Sequence, residues 1–531
     1  MPVNESQQLK RDIIADLTNS GSRVAAFLAQ KQLPDGDYPA RNFYGKAYSA
    51  LLWGLCAENY DRNIENALTN MRRETVAGLP KNYHFEFNRF AIYKLRQTTN
   101  HNSYCYPELK QFKGTRVANW MLLRVNCRYL SGGILDRIIA RIELSIVKKY
   151  FTKASGLIED QRGAYTMQYH AFCAALLGEL LNGPLKGSAG ISRWFERSLN
   201  SFYSFILPGG QCNYLGRGSL QSFGYASAIL ALSHGYSLLG NIDYLIKLRS
   251  ILDYVLRHQR DDGSLPLVLS GVEEGSPENF SLADPAYAGW WSYNNYYDYL
   301  PFTGALLLLS CKVLEKARGT SETTVPPKLN GVGRGQTIRK VEKGNYTAVV
   351  SLPNRKLWAA SMPVPYISHA TDYPLPCYGG EQQQRSLYSA RGLPLPIVVT
   401  KQGQVGFSGA RYNWCKPLEL SFLGVTGGIK HRRDFEYNAD SINMLDTLEW
   451  SNGVEIKHVF LPRILLAKTR VREVIDNRIV LKGLVIEFDA AVSWDDEDYC
   501  SPNGVLMSYY VKIIPSAGNR VTSSVNIKFA P

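Results

Sequence analysis

The sequence predicts an α+β multidomain protein: an N-terminal (α/α) toroid over residues 1–318, a linker over 319–336 and a C-terminal antiparallel β-sandwich over 337–531. Three observations carry this expectation. The stretches Gly156–Leu177 and Gly209–Leu230 superimpose at an offset of 53 residues, each a Gly-rich loop running into an apolar helix. Repeats that cannot close a core alone must stack, into a solenoid or a ring. From about residue 5 to 315 the hydrophobic pattern is helical, and after 336 it turns to short β-branched and aromatic runs.

Helices are expected at Ile13–Ala29, Tyr44–Leu55, Gly133–Tyr150, through Ala171–Leu181, and at Ala226–Leu239 and Ala305–Leu314, with Pro and Gly clusters between them. A second self-similarity pairs Gln32–Pro39 with Gln259–Pro266, both Q-x-x-D-G-x-x-P, where the Asp-Gly pair suits a tight turn with positive φ at Gly. Residues 316–336 are rich in Gly, Pro, Ser and Thr and read as a linker. Strands are expected at Tyr346–Leu352, Leu357–Ala360, Ile397–Thr400, Val454–Leu461, Thr469–Val474, Arg478–Leu484, Ala491–Trp494, Val505–Ile514 and Val521–Phe529.

The chain has 531 residues, 45% hydrophobic and 20% charged, an ordinary folded composition of a size for two domains. A net charge of +14 favours an anionic partner. There is no run of five basic residues, zinc-finger spacing or RNA-binding signature, so an acidic polysaccharide ranks above nucleic acid. The nine Cys include no C-x-x-C pair, which argues against a disulfide framework or a Cys-bound metal; neither metal nor cofactor is expected. No window is apolar enough for a membrane span. The polar start, MPVNESQQLKRDIIADL, reads as cytoplasmic, or as periplasmic or secreted if a signal has been removed. Oligomeric state is open.

The polar residues interrupting the repeat form the candidate site. Gln168, Tyr169 and His170 lie near the start of a helix, whose positive end disfavours imidazolium and leaves His170 able to accept a proton. The alternative is a core His satisfied by a carbonyl. One repeat later come Asn213, Tyr214, Arg217 and Gln221. An amide and a guanidinium beside a phenol and an imidazole suit a uronic acid. They can neutralise its carboxylate, accept the C5 proton and protonate the departing O4. A loop ion pair for Arg217 and a turn role for Asn213 are the plainer alternatives. His84, Asn88 and Arg89 form a third polar cluster that could clamp the carboxylate. Trp290, Trp291, Tyr293 and Asn294, in the aromatic-rich run Trp290–Tyr299, could stack on sugar rings; a packed inner helix is the other reading. His369 and His431 are possible contributors from the β half, and Asp495–Asp498 reads as a solvated loop.

With GLIEDQRGAYTMQYHAF and NYLGRGSLQSFGYA in a helical ring followed by a β domain, the chain resembles the heparinase II/III and alginate lyase kind of polysaccharide lyases. The resemblance implies a toroid and a β-sandwich flanking a cleft, and cleavage of uronic-acid polymers by β-elimination. It implies His170 as base or carboxylate neutraliser, Tyr214 or Tyr169 as acid, and Asn213 and Arg217 as uronate ligands. The sequence leaves open a glycoside hydrolase using Asp35, Glu159 or Asp160, a uronate C5-epimerase, or a non-catalytic polysaccharide-binding or assembly protein of capsule or exopolysaccharide production.

Overall fold

The computed structural model describes residues 3–40, 42–79, 83–98, 104–163, 166–269, 295–317, 338–352, 362–369, 372–375, 394–407, 410–415, 421–467, 470–501, 504–516 and 518–529. The expected linker 319–336 and the expected strand Leu357–Ala360 lie outside them.

Among the described residues eleven α-helices come first: α1 (Val3–Lys31), α2 (Gly45–Leu55), α3 (Asp61–Ala77), α4 (Phe85–Thr98), α5 (Ala118–Ser131), α6 (Ile134–Ile146, continued by a π-turn Val147–Phe151), α7 (Met167–Leu181), α8 (Ala189–Tyr203), α9 (Ser222–Leu239), α10 (Ile242–Leu256) and α11 (Tyr296–Lys316). Six close a ring in the order α2–α4–α5–α7–α9–α11, with α11 back against α2. The ring helices are the apolar ones: α7 is buried along its whole length, as an all-round apolar helix must be. Outside them, α3 packs on α2, α6 on α5, α8 on α7, α10 on α9 and α1 on α11.

The sequence repeat is the device that closes this double ring. Four five-residue turns, Leu33–Asp37, Lys153–Leu157, Leu207–Gln211 and Arg260–Ser264, share one hydrogen-bond pattern, the first N–H to the fifth C=O and the glycine N–H to the first C=O. The glycines Gly36, Gly156, Gly210 and Gly263 have φ of +91°, +93°, +88° and +89°. A Cβ there would lie 2.1, 2.3, 2.0 and 2.5 Å from the carbonyl oxygens of Asn66, Arg197, Ser250 and Arg23, in α3, α8, α10 and α1. Each turn rests on another outer helix, and the last rests on the first. Gly156→Ala is therefore expected to cost about 2–4 kcal/mol, from left-handed strain plus the backbone clash, read as a lower unfolding midpoint.

Asp35 and Asp262 accept the backbone N–H two residues on, of Asp37 and Ser264, at 3.1 and 2.9 Å. Asp35 is thus an exposed turn residue. The offset of 53 also proves too short: Gly156 corresponds to Gly210, and the N-cap Thr166 of α7 to the N-cap Gln221 of α9. Gln168 and Gln221 are not equivalent, because the second loop is one residue longer between turn and cap.

The described residues after 337 form antiparallel sheets. A four-stranded sheet runs Ile338–Lys343, Tyr346–Ser351, Tyr366–His369, Asp372–Leu375. An eight-stranded sheet is ordered Val471–Ile475, Arg478–Leu481, Leu484–Phe488, Arg520–Phe529, Ser441–Trp450, Ile429–Tyr437, Phe422–Thr426, Arg411–Trp414. A five-stranded one is ordered Ser493–Ser501, Gly504–Ile513, Ile456–Ala467, Ile397–Thr400, Gly403–Gly406. Apolar residues of all three sheets share one core, while Ile338, Val349, Met362 and Tyr366 join the helical core. The first sheet is therefore the seat of the toroid. The acidic run Asp495–Asp498 is part of the strand Ser493–Ser501 instead of a loop, with Asp495 accepting from the Tyr510 hydroxyl at 2.8 Å.

Candidate active site

The six ring helices all begin at one end, and each opens with an aromatic side chain. Tyr44 stacks on Phe87 at 4.8 Å, and Phe87 meets Trp120 at 5.3 Å and Phe172 at 6.0 Å. Phe172 meets Phe223 at 6.0 Å, Phe223 meets Tyr299 at 5.2 Å, and Tyr299 returns to Tyr44 at 6.3 Å. Phe302 fills the middle, 4.5–6.2 Å from Tyr44, Tyr48, Phe87, Phe172 and Phe223. The toroid axis is plugged at this level by rings that are each 9% exposed or less, a packed floor beneath this end, the bowl. Six helix N-termini converge on it, a field that favours an anion, although the Asp298 carboxylate already answers that of α2.

Arg217 and Tyr169 meet at this rim. Thr166 caps α7, accepting from the Tyr169 N–H at 3.1 Å, and so fixes Tyr169 on the first turn, its ring 5.9 Å from Phe223. Arg217 Nη2 donates to the Tyr169 hydroxyl at 3.2 Å, and its Nη1 lies 3.7 Å from Asp160 Oδ2. The Arg217 side chain retains 17% exposure while Asp160 is fully buried. Burial pushes the Asp160 carboxyl up, and Arg217 works against that shift. Neither Asp160 side-chain oxygen has a hydrogen-bond partner among the described residues. Its backbone carbonyl accepts from Ala118 N at 3.1 Å, which joins the start of α5, Asn119 and Trp120, to the same corner. His84 stands beside Trp120 at 5.1 Å, half-buried, and burial, then Lys113, pulls its imidazole down to about 3. It is a neutral ring at the mouth.

The other expected site residues go elsewhere. His170 Nδ1 accepts from the Ile158 N–H at 2.9 Å and its Nε2 faces the Ser198 carbonyl at 3.0 Å, so the proton sits on Nε2 and both nitrogens are spent on backbone. Burial pulls it down to about 4, against the upward effect of that carbonyl. The expected neutral imidazole is present, but it anchors the first repeat loop to α8 and cannot reach a sugar. His170→Gln is expected to lower stability by about 1–3 kcal/mol for the lost buried hydrogen bonds. The unfolded chain binds the proton more readily, so His170 stabilises fully above its ordinary 6.5 and loses that contribution as pH falls to about 4. Urea titrations across this window should show a shallower acid limb in the variant.

Tyr214 is fully buried, its hydroxyl donates to the Phe205 carbonyl at 2.9 Å and its ring stacks on Tyr366 at 4.5 Å and 10°. It joins toroid to sheet. Asn213 closes its own loop, donating to the Gly218 and Gln221 carbonyls at 2.9 and 3.2 Å and to Gln168 Oε1 at 3.4 Å. Gln168 and Gln221 are buried within that knot. Asn88 donates to the Phe43 and His84 carbonyls, and Arg89 to the Lys110 carbonyl and the Tyr93 hydroxyl, its guanidinium 3.9 Å from the Phe112 ring. Neither faces the bowl; their neighbour His84 does. Glu159 is held by Lys153 and by the Gly163 N–H, both at 2.9 Å. Trp290, Trp291, Tyr293 and Asn294 lie outside the described residues. The rest of that run opens the inner helix α11, where Asp298 accepts from the Phe43, Tyr44 and Gly45 N–H groups at 2.7–3.0 Å and caps α2.

In the β half, His431 is buried between the Tyr412 hydroxyl and Asp446, and His369 is buried against Phe529. Among the described residues no group of His, Cys, Asp and Glu could hold a metal, and no helix is long and apolar enough to cross a membrane.

No family model and no curated protein matches the chain. Solved structures do. A Paenibacillus xanthan lyase aligns with a TM-score of 0.50 and 11% identity, over 99% of this chain and 60% of its own, so this chain spans less than two thirds of that enzyme. The Streptomyces coelicolor A3 chondroitin AC lyase in complex with chondroitin sulphate aligns with a TM-score of 0.50 and 10% identity, over 99% of this chain and 83% of its own. A further chondroitinase AC lyase reaches 0.51 at 7% identity, over 98% and 82%. At such identities the likeness is one of fold. The helical toroid followed by antiparallel sheets is the polysaccharide lyase fold.

Proposed function

We propose that this protein is a polysaccharide lyase that cleaves an anionic, uronate-containing polymer by β-elimination at the aromatic bowl of the toroid. The observation that carries this reading is the 3.2 Å contact between Arg217 and Tyr169 at the rim where six helix N-termini converge. The aromatic floor is packed and buried and gives the site a rigid base, and the N-termini with Arg217 favour a carboxylate. Arg217 pairs with the uronate carboxylate and holds the charge that develops as C5 loses its proton. The Tyr169 oxygen, which accepts from Arg217, is the group that takes the C5 proton; the electron pair forms the C4–C5 double bond as C4–O4 breaks, and the proton returns to O4. His84 and Trp120 border the subsite.

The roles first expected of His170, Tyr214 and Asn213 pass to Tyr169 and Arg217. A second reading, binding without cleavage, draws on one observation: the guanidinium already faces the buried Asp160 carboxylate. Purified protein incubated with a panel of acidic polysaccharides separates the readings. Elimination produces unsaturated ends, seen by ultraviolet absorbance, in step with new reducing ends. Reducing ends alone mean hydrolysis, solvent exchange of the C5 hydrogen without shortening means epimerisation, and affinity without product means binding.

A further inference from the structure

Away from the bowl, α6 carries an apolar stripe turned to solvent. Ile134, Leu135, Ile138 and Ile142 are 80%, 70%, 50% and 55% exposed, on a helix whose inner face buries Ala140 and Leu144. Their spacing of four and seven residues puts them on one side, one helical layer outside α5. Isolated exposed apolar residues are ordinary, but a contiguous row is not.

The charges around the stripe are sorted. The acidic residues of α6 are turned inward: Asp136 pairs with Arg128 at 2.6 Å, and Glu143 with Arg124 at 2.7 Å. Both cations belong to α5. The outward flank carries Arg137 and Arg141, and the π-turn adds Lys148 and Lys149, all exposed. Tyr150, 47% exposed, lies under Lys149 at 5.2 Å. A helix with isoleucines and leucine on one face, cations along its edge and an aromatic at its end matches an interfacial helix.

We infer that α6 and its π-turn form a docking surface for an anionic lipid bilayer, laying the toroid's flank on the membrane with the isoleucines in the headgroup region. The charge pattern selects this occupant. A second copy would bring Arg137, Arg141, Lys148 and Lys149 against themselves, whereas an anionic headgroup layer complements them. The surface is separate from the bowl and does not depend on the lyase reading.

Vesicle flotation with the full-length protein tests it, using phosphatidylcholine vesicles with and without phosphatidylglycerol. The protein is expected to float with the anionic vesicles, and to do so less as salt rises. The double variant Ile138→Ser/Ile142→Ser should lose about tenfold or more of that partition through its lost apolar contact, and Arg137→Glu/Arg141→Glu at least as much. Unfolding midpoints should be unchanged, since these side chains point outward. The inference is overturned if anionic vesicles capture no protein, if neutral vesicles capture as much, or if neither double variant loses partition. It is equally overturned if light scattering shows a dimer that the serine variant dissolves, which would make the stripe a subunit interface.

Discussion

Arg217→Ala is expected to reduce elimination by about a hundredfold to a thousandfold in kcat, the usual loss when a donor to a developing oxyanion is removed. Tyr169→Phe should be at least as damaging, since it keeps the ring against Phe223 and deletes only the oxygen that handles the proton. The two variants differ in what else they disturb. Tyr169→Phe leaves the fold unchanged and costs the hydrogen bond from Arg217, about 0.5–1.5 kcal/mol, a small fall in the unfolding midpoint. Arg217→Ala also strips Asp160 of its counter-charge, leaving a buried carboxyl to take up a proton, so some stability goes with the activity. Adding Asp160→Asn repairs that side effect: the double variant should recover the midpoint and stay inactive. If its activity returns as well, Arg217 is only a partner for Asp160, and the proposed chemistry fails while the fold assignment stands. Initial rates by ultraviolet absorbance, with thermal unfolding of each variant, decide between these outcomes.

The architecture was legible because it is written in periodicity. The all-round apolar runs at Tyr44–Leu55 and Ala226–Leu239 have no stable place except an inner ring, and the Asp-Gly turns mark where outer helices end. Strands were less legible. Ile429–Tyr437 reads IKHRRDFEY, too charged to be recognised, yet it lies inside the eight-stranded sheet because His431 and Arg433 are buried in pairs. At the site, spacing could bring Tyr169 and Arg217 into the same region but could not show which way a side chain turns. His170 follows Tyr169 directly, and one helical step sends it to the outer layer while its neighbour faces the axis. Trp120 and Phe87 were missed, although an aromatic in the first turn of every apolar helix is a signal visible in the sequence once the ring is known.

Arg433→Met should cost about 3–5 kcal/mol, the penalty for breaking a buried ion pair from one side. Arg433 and Asp446 are cross-strand partners, neither reached by solvent, joined by two hydrogen bonds of 2.6 Å. Arg433 Nη1 also donates to the Pro363 and Pro394 carbonyls, each at 2.9 Å, beside the strands Tyr366–His369 and Ile397–Thr400. One guanidinium thus ties the eight-stranded sheet to the other two. Burial pushes the Asp446 carboxyl up, but Arg433 and His431 together hold it down to about 2. Its folded value is below its ordinary 3.8, so the network stabilises fully above that value and fails as pH falls toward 2. In Arg433→Met the carboxylate keeps only His431, and the acid limb of the stability curve should move to higher pH. Arg433→Met/Asp446→Leu should be markedly more stable than the sum of the single losses, because no unpaired charge remains buried. Urea unfolding of the wild type, both single variants and the double measures the coupling directly. Additive losses would mean that the pair contributes little beyond its packing, and that the sheets are held by their apolar core alone.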